Sequence, residues 1–369
     1  MGLRFERYEK VTRYLDPRQQ GREARIACEI RRDPLTGRGG RVAHVLGFEV
    51  RPVDFASMIA DSRASCPFCP ERILAVTPRF PPDIVPDGRI QRGEAVVFPN
   101  LAPYDEQSAV VAMSQAHFVP MAGFTPALLR DAFAASLDYF RLVCRQPRTD
   151  YPLIFWNYLP ASGGTQIHPH LQIFATDTPG NALEAELAAS QRYMAAEGRS
   201  YWTDLVAEEE RLGERFIARG AHTAWLSAFV SESLLADTLV IFPERHSLLE
   251  LVDAPDQTGQ QALDEFCRGL AQALGALAAQ GVYSFNLAWF SGAARDEDHF
   301  RLHARLSPRV YMTPRLWGTD TSALQHLYHE HFMVQTPEAA AASLRGAIAP
   351  QETRNSGAVR ATCGESTKL

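Results

Sequence analysis

Lysine is nearly absent from this chain. Of its 37 basic residues only Lys10 and Lys368 are lysine, and the rest are arginine. The basic side chains are therefore almost all planar forks suited to phosphate. A surplus of positive charge is also missing. The formal net charge is −6, which excludes a broad nucleic-acid surface but leaves room for a local basic pocket. No apolar run approaches the roughly 20 residues of a membrane-spanning helix. The stretch "MGLRFERYEKVTRYLD" lacks the hydrophobic segment of a secretory signal and the small hydroxyl residue of a myristoylation site. The expectation is a cytoplasmic protein. Cysteine is sparse, with six in 369 residues. Only Cys66 and Cys69 are close enough to form a motif, and in a large cytosolic chain such a pair points to metal or redox chemistry before a disulfide.

The first informative stretch is "GGTQIHPHLQIF" (163–174). On a strand, residues i and i+2 share a face, so His168, His170 and Gln172 are expected on one side. Imidazole is a good nucleophile near neutral pH, because much of it is unprotonated there. Attack on an α-phosphorus would give a phosphoramidate that a second acceptor cleaves. Gln172 is placed to donate its amide N–H to a phosphoryl oxygen. Ser162, Thr165 and the backbone N–H groups of Gly163 and Gly164 are further candidates for holding phosphate oxygens. The bland alternative is a pair of partly buried strand histidines.

"ASCPFCPERI" (64–73) places Cys66 and Cys69 in a Pro-rich turn. This has the shape of half a tetrahedral zinc site, and His117 and His168 are available as the other two ligands. A redox pair and two inert thiols are the alternatives; no thioredoxin-like βαβ context surrounds the pair. Four protein ligands would leave no open position, so the metal would be structural and would anchor the strand carrying His170. Arg31 and Arg32 precede an Asp-Pro-x-x-Gly turn, and an arginine fork is the expected partner of a phosphate site. Asn100 follows an apolar strand and a proline, where asparagine usually serves a turn.

The chain also repeats itself. "SAVVAMSQAHFVPM" (108–121) and "DTLVIFPERHSLLEL" (237–251) each read as an apolar strand ending near a histidine. Each leads into a helical pattern, at 125–146 and 254–280, with apolar residues at three- and four-residue spacing. Each helix is followed by a strand, 151–160 and 283–292, and then by "IHPHLQI" (167–173) or "LHARLSP" (302–308). A duplicated α+β unit results, degenerate in its second copy, where Arg305 stands in the place of His170. The expected division is an N-terminal half over 1–180 and linking helices over 181–218, broken near Gly198. A degenerate half over 219–349 and a disordered tail over 350–369 follow.

Together these stretches resemble the galactose-1-phosphate uridylyltransferase family of the histidine-triad superfamily. The likeness runs from about residue 29 to about 345 and is carried by "RRDPLTG", "CPFC", "FPN", "HPHLQIF" and "HFRLHARLSP" in that order. The resemblance implies two histidine-triad-like halves, each a mainly antiparallel sheet flanked by helices, and a dimer. His170 would become nucleotidylated, and Gln172 would contact the transferred phosphoryl group. Thr165 would sit where the family has a phosphate-binding hydroxyl, Arg31 or Arg32 would face the diphosphate, and Asn100 the nucleoside. Cys66, Cys69, His117 and His168 fall where the family's zinc ligands lie. Some members hold a second metal with one Glu and three His; Glu186 and His303 match two positions, while Phe290 and Arg305 replace the others. That second site is therefore expected to be empty. The family's hexose-gripping residues are not evident over 320–335. The implied activity is transfer of a nucleoside monophosphate from an NDP-sugar to a sugar 1-phosphate. The alternatives are a phosphorylase or hydrolase of NDP-sugars or dinucleoside polyphosphates, and a non-catalytic, zinc-stabilised nucleotide-binding protein.

Overall fold

The computed structural model describes residues 3–43, 48–251 and 257–348. The tail read over 350–369 lies outside these. The chain opens with three strands, β1 (Glu6–Asp16), β2 (Arg22–Arg32) and β3 (Gly39–Ala43). Two short helices follow, α1 (Ala56–Arg63) and α2 (Pro70–Val76). The first copy of the repeat then runs β4 (Ile90–Arg92), β5 (Ala95–Pro99), β6 (Gln107–Ala112), α3 (Pro126–Val143), β7 (Tyr151–Tyr158) and β8 (His170–Thr176). Helices α4 (Asn181–Glu197) and α5 (Tyr201–Leu212) link it to the second copy. That copy comprises β9 (Phe216–Arg219), β10 (Ala224–Ser227), β11 (Thr238–Ile241), α6 (Thr258–Ala279), β12 (Ser284–Phe290) and β13 (His303–Arg309). Short elements complete the described chain: β14 (Tyr311–Thr313), β15 (Gly318–Thr319), α7 (Ala323–Tyr328), β16 (His331–Met333) and α8 (Pro337–Leu344).

The duplication is plain in the sheet. Ten strands run in the order β4-β5-β6-β8-β7-β12-β13-β11-β10-β9, five from each copy in mirrored sequence, all paired antiparallel. The halves are not separate bodies: β7 and β12 pair at the centre, with Phe155 opposite Ala288 and Asn157 opposite Asn286.

Helices α3 and α6 cover one face of this sheet. Thr125 caps α3 by accepting from the Leu128 N–H at 3.2 Å, with Pro126 in the first turn, a start that satisfies one helix N–H and needs none from proline. Leu129, Ala132, Phe133, Leu137 and Phe140 then recur at helical spacing and are buried, packing with Trp156, Phe266, Phe285 and Trp289 into the main core. Helix α6 comes close enough that a Cβ at Gly269 would lie 2.4 Å from the Trp225 ring. On the opposite face α4 and α5 cover the second copy, with Leu187, Trp202 and Leu205 packed on Leu239 and Ile241. Gly198 ends α4 in the left-handed region at φ 70°, a conformation in which glycine carries no Cβ penalty.

A second, four-stranded sheet has the order β1-β2-β3-β16, with β16 parallel to β3, so the last part of the described chain returns to the first. Between the two sheets Arg31 and Arg215, each 1 % exposed, share the carboxylate of Glu338. Phe229 and Phe5 lie against the two guanidiniums.

Candidate active site

Strand β8 begins at His170, not at Ile167. This corrects the expectation of one strand face for both histidines: His168 lies in the bend before the strand. Of the three residues expected together, only His170 and Gln172 share a β8 face, in register with Phe155 and Asn157 of β7 and Asn286 and Ala288 of β12. Ala112 stands opposite His170 on β6. On another side Phe68, from the Cys-x-x-Cys turn, lies 5.4 Å from the His170 ring.

His170 is 6 % exposed, and its Nδ1 lies 2.9 Å from the carbonyl oxygen of His168. A carbonyl only accepts, so Nδ1 carries the proton and Nε2 carries the lone pair. Burial pushes the pKa of the ring down, although the His168 carbonyl works the other way. The neutral ring, with a nucleophilic Nε2, is the favoured form. Gln172, two residues on, holds its Oε1 buried without a hydrogen-bond partner among the described residues. A buried polar atom left open is costly, and here it faces the same side as the nucleophile.

The turn between β7 and β8 shapes the rest of the site. Leu159 has φ 65°, rare for a branched non-glycine residue. The Ser162 hydroxyl lies 3.0 and 2.8 Å from the carbonyls of Tyr158 and Leu159. The N–H groups of Gly163 and Gly164 donate to Pro160 and Leu159 carbonyls at 2.9 and 3.2 Å. These donors close the turn and are not aimed outward. A Cβ on Gly164 would meet the carbonyl oxygens of Asn157 and Leu159 at 2.8 and 2.9 Å, so only glycine fits there. Thr165 is exposed at the rim. Asn157 was not singled out from sequence, though alternation in "YPLIFWNY" sets it on the face of Leu153 and Phe155.

Cys66, Cys69, His117 and His168 form a buried cluster whose four ligand atoms lie within 4.8 Å of one another. They come from the α1–α2 turn, the β6–α3 loop and the bend before β8. The Cys66 Sγ lies 3.6 Å from His168 Nδ1, and the Cys69 Sγ lies 3.4 Å from His117 Nδ1 and 3.8 Å from His168 Nδ1. A tetrahedral ion 2.3 Å from sulfur and 2.0–2.1 Å from nitrogen would set these separations at about 3.5 Å. The other nitrogen of each ring is engaged, His168 Nε2 with Ser114 O at 2.7 Å and His117 Nε2 with Ser62 Oγ at 3.0 Å. Such contacts orient a metal-ligating histidine. The cluster could therefore hold a metal ion, and its donor set is consistent with a structural zinc.

The corresponding place in the second copy does not fit a metal. His303 Nε2 lies 3.1 Å from Glu186, and its ring is sandwiched between Trp202 at 4.2 Å and Phe290 at 4.8 Å. Arg305 extends its guanidinium to Glu186 at 3.6 Å and Asp237 at 3.2 Å. Burial works against that charge, but Glu232, Asp237, Glu186 and Asp33 together hold Arg305 firmly protonated. A fixed cation on Glu186 repels a second one.

The remaining predicted residues have partners of their own. Arg31 is engaged by Glu29 and by both oxygens of Glu338, and so belongs to the packing between the sheets. Arg32 is exposed, its Nη1 3.4 Å from the carbonyl of Gly37. Asn100 accepts from the Ala102 N–H at 2.9 Å, closing a turn after β5. Among the described residues no helix is long and apolar enough to cross a membrane.

A duplicated antiparallel sheet with a strand-borne histidine and a Cys₂His₂ cluster defines an α+β protein of histidine-triad type. No family model matches the chain. It is 30% identical over 326 residues to an uncharacterized protein of Archaeoglobus fulgidus, covering 88% of this chain and 94% of that one. It is 27% identical over 303 residues to a galactose-1-phosphate uridylyltransferase of Streptomyces lividans, covering 76% and 77%. A solved ADP-glucose phosphorylase from Arabidopsis thaliana, with ADP-glucose bound, superposes with a TM-score of 0.65 at 17% identity, covering 86% of this chain and 99% of that one. The chain is thus similar at modest identity to a galactose-1-phosphate uridylyltransferase and shares the fold of solved proteins of that kind.

Proposed function

We propose that the chain is a ping-pong nucleotidyltransferase with His170 as the nucleophile. The observation that carries this reading is the Nδ1 contact to the His168 carbonyl, which leaves the Nε2 lone pair on a polar face beside Gln172. In the first step Nε2 attacks the α-phosphorus of an NDP-sugar. The P–N bond forms, the bond from α-phosphorus to the bridging oxygen breaks, and sugar 1-phosphate leaves with the electron pair. In the second step an acceptor phosphate oxygen attacks the same phosphorus, and Nε2 recovers its lone pair. Burial favours the neutral nucleophile, and the amide N–H of Gln172, not its Oε1, is the group that stabilises charge on the transferred phosphoryl.

Arg32, with Thr165 at the rim, is the better candidate for the outer phosphates than Arg31, whose charge is already matched. Asn100 is assigned to the nucleoside only on the family pattern. A metal at Cys66, Cys69, His117 and His168, read as zinc, would fix the bend from which the His168 carbonyl sets the His170 tautomer. A cytoplasmic homodimer handling nucleotide sugars is part of the same reading.

Orthophosphate in place of sugar 1-phosphate is the second reading. It draws on the phosphorylase among the structural neighbours and on the missing hexose signature over 320–335. Intact-mass measurement after addition of UDP-glucose or ADP-glucose tests the first step: the protein gains a nucleotidyl mass, and His170→Asn does not. Discharge by water, phosphate or sugar 1-phosphate then names the acceptor. Absence of any mass gain across a panel of NDP-sugars would refute the transferase and favour a binding protein.

A further inference from the structure

The turn that flanks His170 is held in place from the other half of the molecule. Asp320, 4 % exposed, accepts from Nε of Arg309 at 3.0 and 2.8 Å and also from its Nη2. Nη1 of the same guanidinium donates to Oδ1 of Asn286 at 2.5 Å. That bond fixes which prong of the Asn286 carboxamide is oxygen, because a guanidinium has no acceptor. The amide N–H prong is thereby aimed across the β12–β7 seam. It donates to Oδ1 of Asn157 at 2.6 Å and to the carbonyl of Ser162 at 3.0 Å. Ser284, at the start of β12, adds a hydroxyl bond to the Tyr158 carbonyl at 2.5 Å.

These contacts converge on a strained piece of chain. Leu159 at φ 65° occupies a sparsely populated conformation that persists only where its surroundings over-determine it. The turn's own bonds from Ser162, Gly163 and Gly164 supply part of that restraint. The relay from the second copy adds to it, and it also fixes the carboxamide of Asn157 on the sheet face that His170 shares.

We propose that Asn286, aimed by Arg309 and Asp320, is a positioning residue that holds the 159–164 turn and Asn157 in the geometry needed for nucleotidyl transfer at His170. The degenerate half thus serves the catalytic half through one carboxamide at the seam. The catalytic consequence rests on the function proposed above; the restraint on the turn does not.

Asn286→Asp tests it in the full-length protein. The substitution keeps an acceptor for Arg309 and removes both N–H donors without changing side-chain size. Amide hydrogen exchange over 159–165 should quicken about tenfold, the scale of one or two net hydrogen bonds lost from a local unit, while α3 and the Cys/His cluster stay protected. The rate of nucleotidyl loading from UDP-glucose or ADP-glucose should fall about tenfold or more, chiefly in kcat, with unchanged metal content. Asn286→Ala should give the same pattern. Unchanged exchange over 159–165 in Asn286→Asp overturns the relay whether or not the protein transfers nucleotides. Faster exchange with wild-type loading overturns the catalytic role alone. A wild-type protein that never loads refutes the transferase reading, and the exchange data then decide the relay by themselves.

Discussion

Replacing Cys69 by serine gives the sharpest test of the metal cluster. Cys69 is fully buried, and its sulfur is within 4 Å of both His117 and His168. Serine matches the thiol in shape but cannot supply a thiolate. Structural zinc contributes roughly 10–16 kcal/mol of apparent binding energy in small zinc domains. Losing one of four ligands should therefore weaken the site by about 3 kcal/mol, or roughly a hundredfold in metal affinity. A binding loss of that size lowers the melting temperature by about 5 °C in a chain this long. Loading of His170 should suffer less than stability does, because the His168 carbonyl that sets its tautomer belongs to the backbone. The assays are metal content per chain, a thermal melt and single-turnover loading on one preparation. Cys69→Ser with wild-type metal content and melting temperature would refute the assignment.

Two other perturbations probe the buried charges. Phe290→His combined with Arg305→His removes the internal cation and places two imidazoles next to His303 and Glu186. The double variant should hold one more divalent ion per chain than the wild type, and an unchanged stoichiometry would count against the view that Arg305 occupies a lapsed metal position. Burial alone would raise the Glu338 carboxyl, but Arg31 and Arg215 outweigh it and hold the group at about 2. A lowered folded-state pKa stabilises above the ordinary carboxylate range and is lost as pH falls from about 5 toward 2. Glu338→Gln should cost about 3 kcal/mol at pH 7, since two buried guanidiniums lose a shared partner, and the gap from wild type should shrink by pH 3. Denaturation at both pH values checks this, and a gap independent of pH would exclude the ion-pair origin.

Much of this molecule is legible in one dimension. Apolar spacing set α3 and α6 within a few residues of their observed bounds, since burying one stripe of a helix on a sheet demands that period. The repeated order of strand, helix, strand and strand set the mirrored halves of the sheet. "CPFC" and "HPH" supplied Cys66, Cys69 and His168 of the cluster, and His117 was read from its place near a strand end. Element boundaries were less legible: the strand signal in "IHPHLQI" gave no sign that the chain bends at His168 before pairing begins at His170.

What tertiary structure alone decided concerns contacts far apart in the chain. Arg31 reads as a phosphate ligand until Glu338, 307 residues away, is seen to hold it. Arg305 reads as a lost ligand until Asp237 and Glu186 close on it as a counter-charge. Asn286 carries no motif, and its pairing with Asn157 exists because two copies of one unit meet edge to edge. Local pattern determines which face a residue takes, since that follows from backbone geometry. Which charge it meets there depends on strands brought together from opposite ends of the sequence.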